Sequence, residues 1–172
     1  MSIEIVPINK SHIEGFHTCV DMVAKERKYL ATTQAPSLDC VRAFVENNIA
    51  ENKPQFVAVD GDRVVGWSDF IRKERPISRH VGVLGMGVLP DYRSKGIGRR
   101  LLQTVIQEAF QQEMIRIELL VHASNLVAIG LYEKMGFRME GTMKDDIFID
   151  GSFDSPHCMA LFAEGFEQQT LA

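Results

Sequence analysis

Val88-Leu89-Pro90-Asp91-Tyr92-Arg93-Ser94-Lys95-Gly96-Ile97-Gly98-Arg99-Arg100-Leu101-Leu102 is the stretch that decides how this chain is read. An apolar run stops at Pro90. A basic turn with two glycines follows, and an amphipathic pattern begins at Ile97. A strand, a small-residue turn and a helix N-terminus together make a seat for a phosphate. Such a seat offers bare backbone N–H groups, close approach and the positive end of a helix dipole.

The surroundings support a local anion site and not a general polyanion surface. The 172 residues carry a net charge of −4, which argues against nucleic-acid binding. Yet Arg93, Lys95, Arg99 and Arg100 fall within one short segment. Apolar residues make up 45% of the chain, enough for a sizeable core. The N-terminus reads as free of a signal peptide, and the run Val81 to Leu89 is too short and glycine-rich to span a bilayer. Three cysteines without paired spacing suit a reducing cytoplasm.

Periodicity and punctuation give the elements. Ile3–Val6 reads as a strand. Ser11 is placed to cap a helix running towards Tyr29, with Ile13, Phe16, Val20 and Val23 on one face. Ser37 caps a second helix with Val41, Phe44, Val45 and Ile49 inward. Gln55–Val59, a turn at Asp60-Gly61-Asp62, Val64–Ile71 and His80–Leu89 form a meander. A helix follows over Ile97–Gln112, with Leu101, Leu102, Val105, Ile106, Ala109 and Phe110 inward. Then come a strand at Arg116–Val121 and a helix at Asn125–Met135 that Gly136 ends. Two strands, Phe137–Ile149 and Phe153–Phe162, turn at Asp150-Gly151. The order β-α-α-β-β-β-α-β-α-β-β predicts one α/β (α+β) domain over residues 1–172.

Two common phosphate sites do not fit. A dinucleotide fingerprint needs a third glycine where Leu101 stands, and no Gly-Lys-Ser/Thr is present for a Walker loop. The pattern Arg93-x-x-Gly96-x-Gly98 instead resembles the acetyl-CoA motif of the GNAT (Gcn5-related) N-acetyltransferases. Downstream, Asn125-Leu126-Val127-Ala128-Ile129-Gly130-Leu131-Tyr132-Glu133-Lys134-Met135-Gly136-Phe137 resembles that family's Asn-x-x-Ala-x-x-Leu-Tyr-x-Lys-x-Gly-Phe segment. The two motifs stand one helix and one strand apart, as in the family. The resemblance implies a mixed, mostly antiparallel sheet with helices on both faces. It points towards bacterial acetyltransferases of small amines and amino acids, with the ribosomal-protein N-terminal enzymes nearby.

It also implies roles. Acetyl-CoA is the expected cosubstrate and a small-molecule primary amine the expected acceptor, with neither nucleic acid nor membrane as partner and a homodimer as the family's habit. Ser94, Lys95, Gly96, Ile97, Gly98 and Arg99, led by Arg93, would hold the pyrophosphate. Met86, Gly87 and Val88 would hold the pantetheine arm, with the Val88 N–H on the thioester carbonyl. Asn125 would cap its helix and contact the arm. Tyr132 would protonate the departing thiolate.

The proton acceptor is harder to read, because the strand His80–Val88 has no Asp or Glu. Asp69 on the neighbouring strand is the first candidate, with His80 and His122 as alternatives. Asp145, Asp146, Asp150 and Asp154 would draw in a cationic acceptor or simply face solvent. No metal site is expected: His12 and His17 are five apart, off a shared helix face, and His157 and Cys158 alternate on a strand. Two other readings stay open: acetylation of a protein N-terminus, and a GNAT-fold module that senses acyl-CoA without turnover.

Overall fold

A computed structural model describes residues 3–166; the outermost residues of the expected 1–172 domain, 1–2 and 167–172, lie outside it. Its strands and helices are β1 (Glu4–Pro7), α1 (Ile13–Lys25), α2 (Leu38–Ala50), β2 (Gln55–Asp60), β3 (Arg63–Arg72), β4 (Val81–Val88), α3 (Ile97–Gln111), β5 (Arg116–Val121), α4 (Leu126–Lys134), β6 (Arg138–Thr142), β7 (Ile147–Ile149), β8 (Ser152–Asp154) and β9 (His157–Phe162). The fold is α+β with a mixed, mostly antiparallel sheet. β1–β2, β2–β3, β5–β9 and β6–β9 are antiparallel, and β4–β5 is parallel.

The chain divides into two compact units. The first comprises Met1–Phe70 and Gly85–Gln107, and its strands lie in the order β1-β2-β3-β4. Val57 and Ala58 are consecutive in β2 and both wholly buried, so both sheet faces are covered. Phe16 of α1 meets Trp67 edge-on at 5.9 Å, and Asn48 of α2 bonds to Gln55. Val57 and Gln55 oppose Trp67 and Asp69 in register, so α1 and α2 lie on that one face. Gly66, on the other face, would touch Leu101 of α3 if it carried a Cβ. The second unit comprises Ile71–Leu84 and Glu108–Ala172, with strand order β4-β5-β9-β6; β7 and β8 form a separate two-stranded ribbon.

Three expectations change. The helix expected to reach Tyr29 stops at Lys25, because Arg27 turns left-handed (φ +56°). Ser11 does not cap it. Asn9 caps a preceding 3-10 turn at Lys10–His12, accepting from the Ser11 N–H (2.9 Å) and Oγ (2.6 Å), and α1 follows from His12 without a side-chain cap. The two long closing strands each break. Asp145 has a positive φ, and after a last bond from Met143 N–H to Pro156 O (2.9 Å) the 144–146 segment leaves the ladder, while Pro156 has no N–H with which to continue it.

The closest steric fit is at β4. A Cβ on Gly87 would lie 2.2 Å from the Trp67 ring, and one on Gly85 would lie 2.9 Å from Asp69 Oδ1. Gly61 has a positive φ and open space around it. Gly87→Ala is therefore expected to lose roughly 1–3 kcal/mol in urea unfolding through overpacking, and more than Gly61→Ala, which carries only backbone strain. Equal losses would mean that Trp67 steps aside freely.

Candidate functional site

The quoted turn is built to expose backbone. Pro90–Tyr92 makes a 3-10 turn, closed by Tyr92 N–H to Leu89 O (2.9 Å) and Arg93 N–H to Pro90 O (3.2 Å). Ser94 (φ +59°) and Gly96 (φ +78°) then carry the chain through left-handed conformations into α3. The first helical bond runs from Arg100 N–H to Gly96 O (3.1 Å), so the N–H groups of Ile97, Gly98 and Arg99 precede any intrahelical acceptor. A Cβ on Gly96 would meet nothing within 4 Å, so its requirement is conformational and the space beside it is open. Ser94, Lys95, Gly96 and Arg99 are exposed.

The basic side chains of this turn have internal partners. Arg93 donates from Nε to Val88 O (2.8 Å) and forks both terminal nitrogens onto the Glu26 carboxylate, one at 2.8 Å. Its guanidinium also lies 4.7 Å from the centroid of the Tyr29 ring. Lys95 Nζ donates to Asp91 O (2.7 Å) beside the Tyr92 ring, and Arg100 reaches Ile3 O (3.0 Å). Arg93 thus ties the end of β4 to the end of α1. Its partners Glu26 and Tyr29 carried no sequence signal, since they lie 67 and 64 positions away.

β4 meets this turn with its backbone available. Leu89 N–H donates to Val65 O (2.9 Å), so by strand alternation the N–H groups of Met86 and Val88 point away from β3. Among the described residues, the β4–β5 register covers only Val81–Val83 against Arg116–Glu118. Gly87 makes room for Trp67, and Gly85 for Asp69. Ser68 Oγ donates to Gly85 O (3.0 Å) and fixes the two strands there. Asp69 lies on β3 against Gly85, where a side chain on β4 would otherwise stand. Burial raises its carboxyl from the ordinary range to about 7. His80 is exposed, with its carbonyl accepting from the Ile115 and Arg116 N–H groups.

In the second unit, Asn125 caps α4: its Oδ1 accepts from Ala128 N–H (3.2 Å) and its carbonyl from Ile129 N–H (3.1 Å). One amide group therefore remains to donate. Tyr132 is buried on α4, edge-on to Phe137 at 5.7 Å, and desolvation pushes its phenol well above the usual value. His122, just past β5, is buried with Nδ1 3.1 Å from Asp154 Oδ2, an oxygen that also accepts from Ser124 Oγ (2.9 Å). Burial works against the Asp154 carboxylate, but bonds from Ser124, the Ser155 N–H and His122 hold it below the usual range. Asp154 is thus engaged inside the fold and does not join a solvated acidic face.

Comparison with known proteins agrees with this geometry. Residues 21–137 match the acetyltransferase (GNAT) family. The chain is 27% identical over 135 residues to an N-acetyltransferase, YokL, of Bacillus subtilis, covering 76% of this chain and 74% of that one. It is 34% identical over 108 residues to the L-amino acid N-acetyltransferase AaaT of Escherichia coli, covering 62% of this chain and 66% of that protein's length. A structure of yncA from Salmonella typhimurium, described with its cofactor acetyl-CoA, superposes with a TM-score of 0.90 over 100% of both chains at 18% identity, a likeness of fold. The family match runs from α1 through the turn before α3 to the Phe137 that follows α4, so both sequence motifs lie inside it, and the chain is a member of the GNAT family of acetyltransferases.

Proposed function

We propose that this chain transfers the acetyl group of acetyl-CoA to a primary amine by direct attack in a ternary complex. The observation that carries the reading is Asp69, a carboxylate lodged against Gly85 at the strand that would present the acetyl group, with its proton affinity raised towards neutrality. A base near the working pH accepts a proton from an ammonium and can release it again.

Each group then has a role. Ser94, Lys95, Gly96, Ile97, Gly98 and Arg99 receive the pyrophosphate through backbone N–H groups and the α3 dipole. Arg93 is a positioning residue that sets the turn against Val88 and Glu26. The N–H of Met86 binds the pantetheine arm alongside Gly87, the N–H of Val88 polarises the thioester carbonyl, and Asn125 donates an amide N–H to the arm. The nitrogen forms its bond to the acetyl carbon as the C–S bond breaks. Two protons leave the nitrogen, the first to Asp69. The thiolate takes one proton from the Tyr132 phenol, which solvent restores, so one proton is released overall. No covalent enzyme intermediate is needed.

The acceptor is a small amine such as an amino acid or polyamine, with a protein N-terminus as the second class. The acyl-CoA sensor reading loses its main support, because Asp69 supplies the carboxylate that β4 lacks. We take residues 1–172 as one acetyltransferase domain of a cytoplasmic homodimer. Three free cysteines suit that compartment, and among the described residues no helix is long and apolar enough to cross a membrane.

Four measurements test this reading. Thiol release from acetyl-CoA with an amine panel separates an enzyme from a sensor. In that assay Tyr132→Phe should lower kcat by about 10²-fold or more while the acetyl-CoA Kd stays within about twofold; unchanged turnover refutes the acid role. Gly96→Glu should abolish acetyl-CoA binding in calorimetry, since it strains a positive φ and sets a carboxylate against the pyrophosphate; retained affinity removes the turn assignment. For Asp69, kcat/KM should rise with pH through a midpoint near 7 and level off above it, and Asp69→Asn should lose that step together with most of the activity. A carboxyl raised from about 3.9 in the unfolded chain favours the protonated fold, so stability falls as pH rises from about 4 to 7. Asp69→Asn should therefore be the more stable protein above pH 7, with the difference vanishing below pH 4. A pH-independent difference would show that the carboxyl is not shifted.

A further inference from the structure

Beside Asp69 stands a polar group that the reaction as written does not use. Gln55 of β2 lies directly opposite Asp69 of β3, and opposed residues of an antiparallel pair project side by side from one face. That face is the one under α1 and α2. Asn48, near the end of α2, donates from Nδ2 to Gln55 Oε1 at 2.8 Å. Both amides are deeply buried, at 2% and 3% exposure. Gln55 enters this bond through its oxygen end. Its carbonyl oxygen is held by Asn48, while its Nε2 is buried without a hydrogen-bond partner. Folded proteins rarely leave such a donor unmatched unless a ligand, water or ion completes it. Asp69 stands opposite, yet does not accept from it.

We infer that Gln55, oriented by Asn48, recognises the acceptor by donating from Nε2 to a carbonyl oxygen adjacent to the reacting amine. The acceptor is then an α-amino carbonyl compound, and neither a plain alkylamine nor a polyamine. The inference rests on the reading of Asp69 as the base. An α-amine and its carbonyl oxygen sit on neighbouring carbons, so one molecule can present the ammonium to Asp69 and the oxygen to the side chain projecting next to it. The donor is uncharged and its neighbour is a carboxylate. A neutral carbonyl, as in an amino-acid amide or a peptide N-terminus, suits this pair better than a second carboxylate, which would leave one ammonium shared between two desolvated carboxylates.

The test compares kcat/KM for alaninamide, alanine, isopropylamine and spermidine. Isopropylamine keeps the branched carbon but lacks the carbonyl. Wild type should prefer alaninamide to isopropylamine by at least tenfold, following the loss expected when a buried donor is left unpaired. Gln55→Met removes the donor at similar size and should bring that ratio close to one. Gln55→Glu, a second variant that replaces the donor by an acceptor, should do the same or invert it. A wild-type ratio near one, a preference for spermidine, or an undiminished ratio in both variants overturns the inference. Alaninamide ahead of alanine identifies a neutral carbonyl as the partner; alanine ahead keeps the Gln55 contact and assigns it to a free amino acid. If no amine releases thiol, the transfer reading fails, and calorimetry still decides the Gln55 contact. Alaninamide binding weakened at least tenfold in Gln55→Met supports it, and equal or absent binding overturns it.

Discussion

Trp67 occupies the space that a side chain at position 87 would need, and much else in the first unit follows from that exclusion. With only hydrogen at Gly85 and Gly87, the β3 side chains Trp67 and Asp69 lie across β4. The indole is then clamped between the β4 backbone and Phe16, which locks α1 over the sheet. The carboxylate beside it loses water, and its proton affinity rises as a consequence. Packing and electrostatics therefore share one cause: the bare stretch of strand that seats the indole also seats the Asp69 carboxyl group. β4 brings no side chain of its own to that face at Gly85 and Gly87, and β3 supplies the carboxyl group there.

The basic turn works by a different logic from the one its composition suggests. Four cations in one segment read as direct ligands for an anion. In the fold, Arg93 is bound to Glu26, Tyr29 and the Val88 carbonyl, and Lys95 folds back onto Asp91. A two-pronged arginine–carboxylate pair is directional, and here it pins the junction between strand and turn. What the turn leaves open is backbone: N–H groups that no helix carbonyl reaches, presented through two left-handed residues. Such donors need no side-chain ordering when a ligand arrives, which is the usual advantage of a helix N-terminus over a mobile lysine.

Local features were legible in the sequence, and features set by distant partners were not. The starts of α2, α3 and α4 follow from Ser37, the Gly96 turn and Asn125, because caps and turns act within a few residues. The inward face of α3 follows from its periodicity. The end of α1 at Arg27 was missed because only a left-handed residue there brings Glu26 and Tyr29 round to Arg93. The break in the closing strands carried a local sign, the charged run Lys144-Asp145-Asp146, but that run does not by itself specify the left-handed turn at Asp145 that ends the pairing. The β4 glycines were visible, but their meaning was not. They read as allowing close backbone approach, and on one face the neighbours that approach are Trp67 and Asp69, a fact that resides in the β3–β4 pairing.

The same limit explains why the acceptor was the least legible part. Donor recognition, as proposed above, uses backbone geometry, which leaves a glycine and cap pattern in the chain. Acceptor recognition in this fold would rest on Gln55 and Asp69 facing one another across a strand pair, with Asn48 reaching down from α2. No two of these residues are near enough in sequence to form a motif, and each is individually unremarkable in composition. Their meaning comes from the register that sets Gln55 against Asp69. A one-residue slip of β2 would turn Gln55 to the α3 face and bring Phe56 opposite Asp69, replacing a hydrogen-bond donor by a benzyl group beside the carboxylate. The bulge between Ala58 and Val59 lies beyond this pair, towards the hairpin turn, so the irregular part of the strand leaves the Gln55–Asp69 pairing undisturbed.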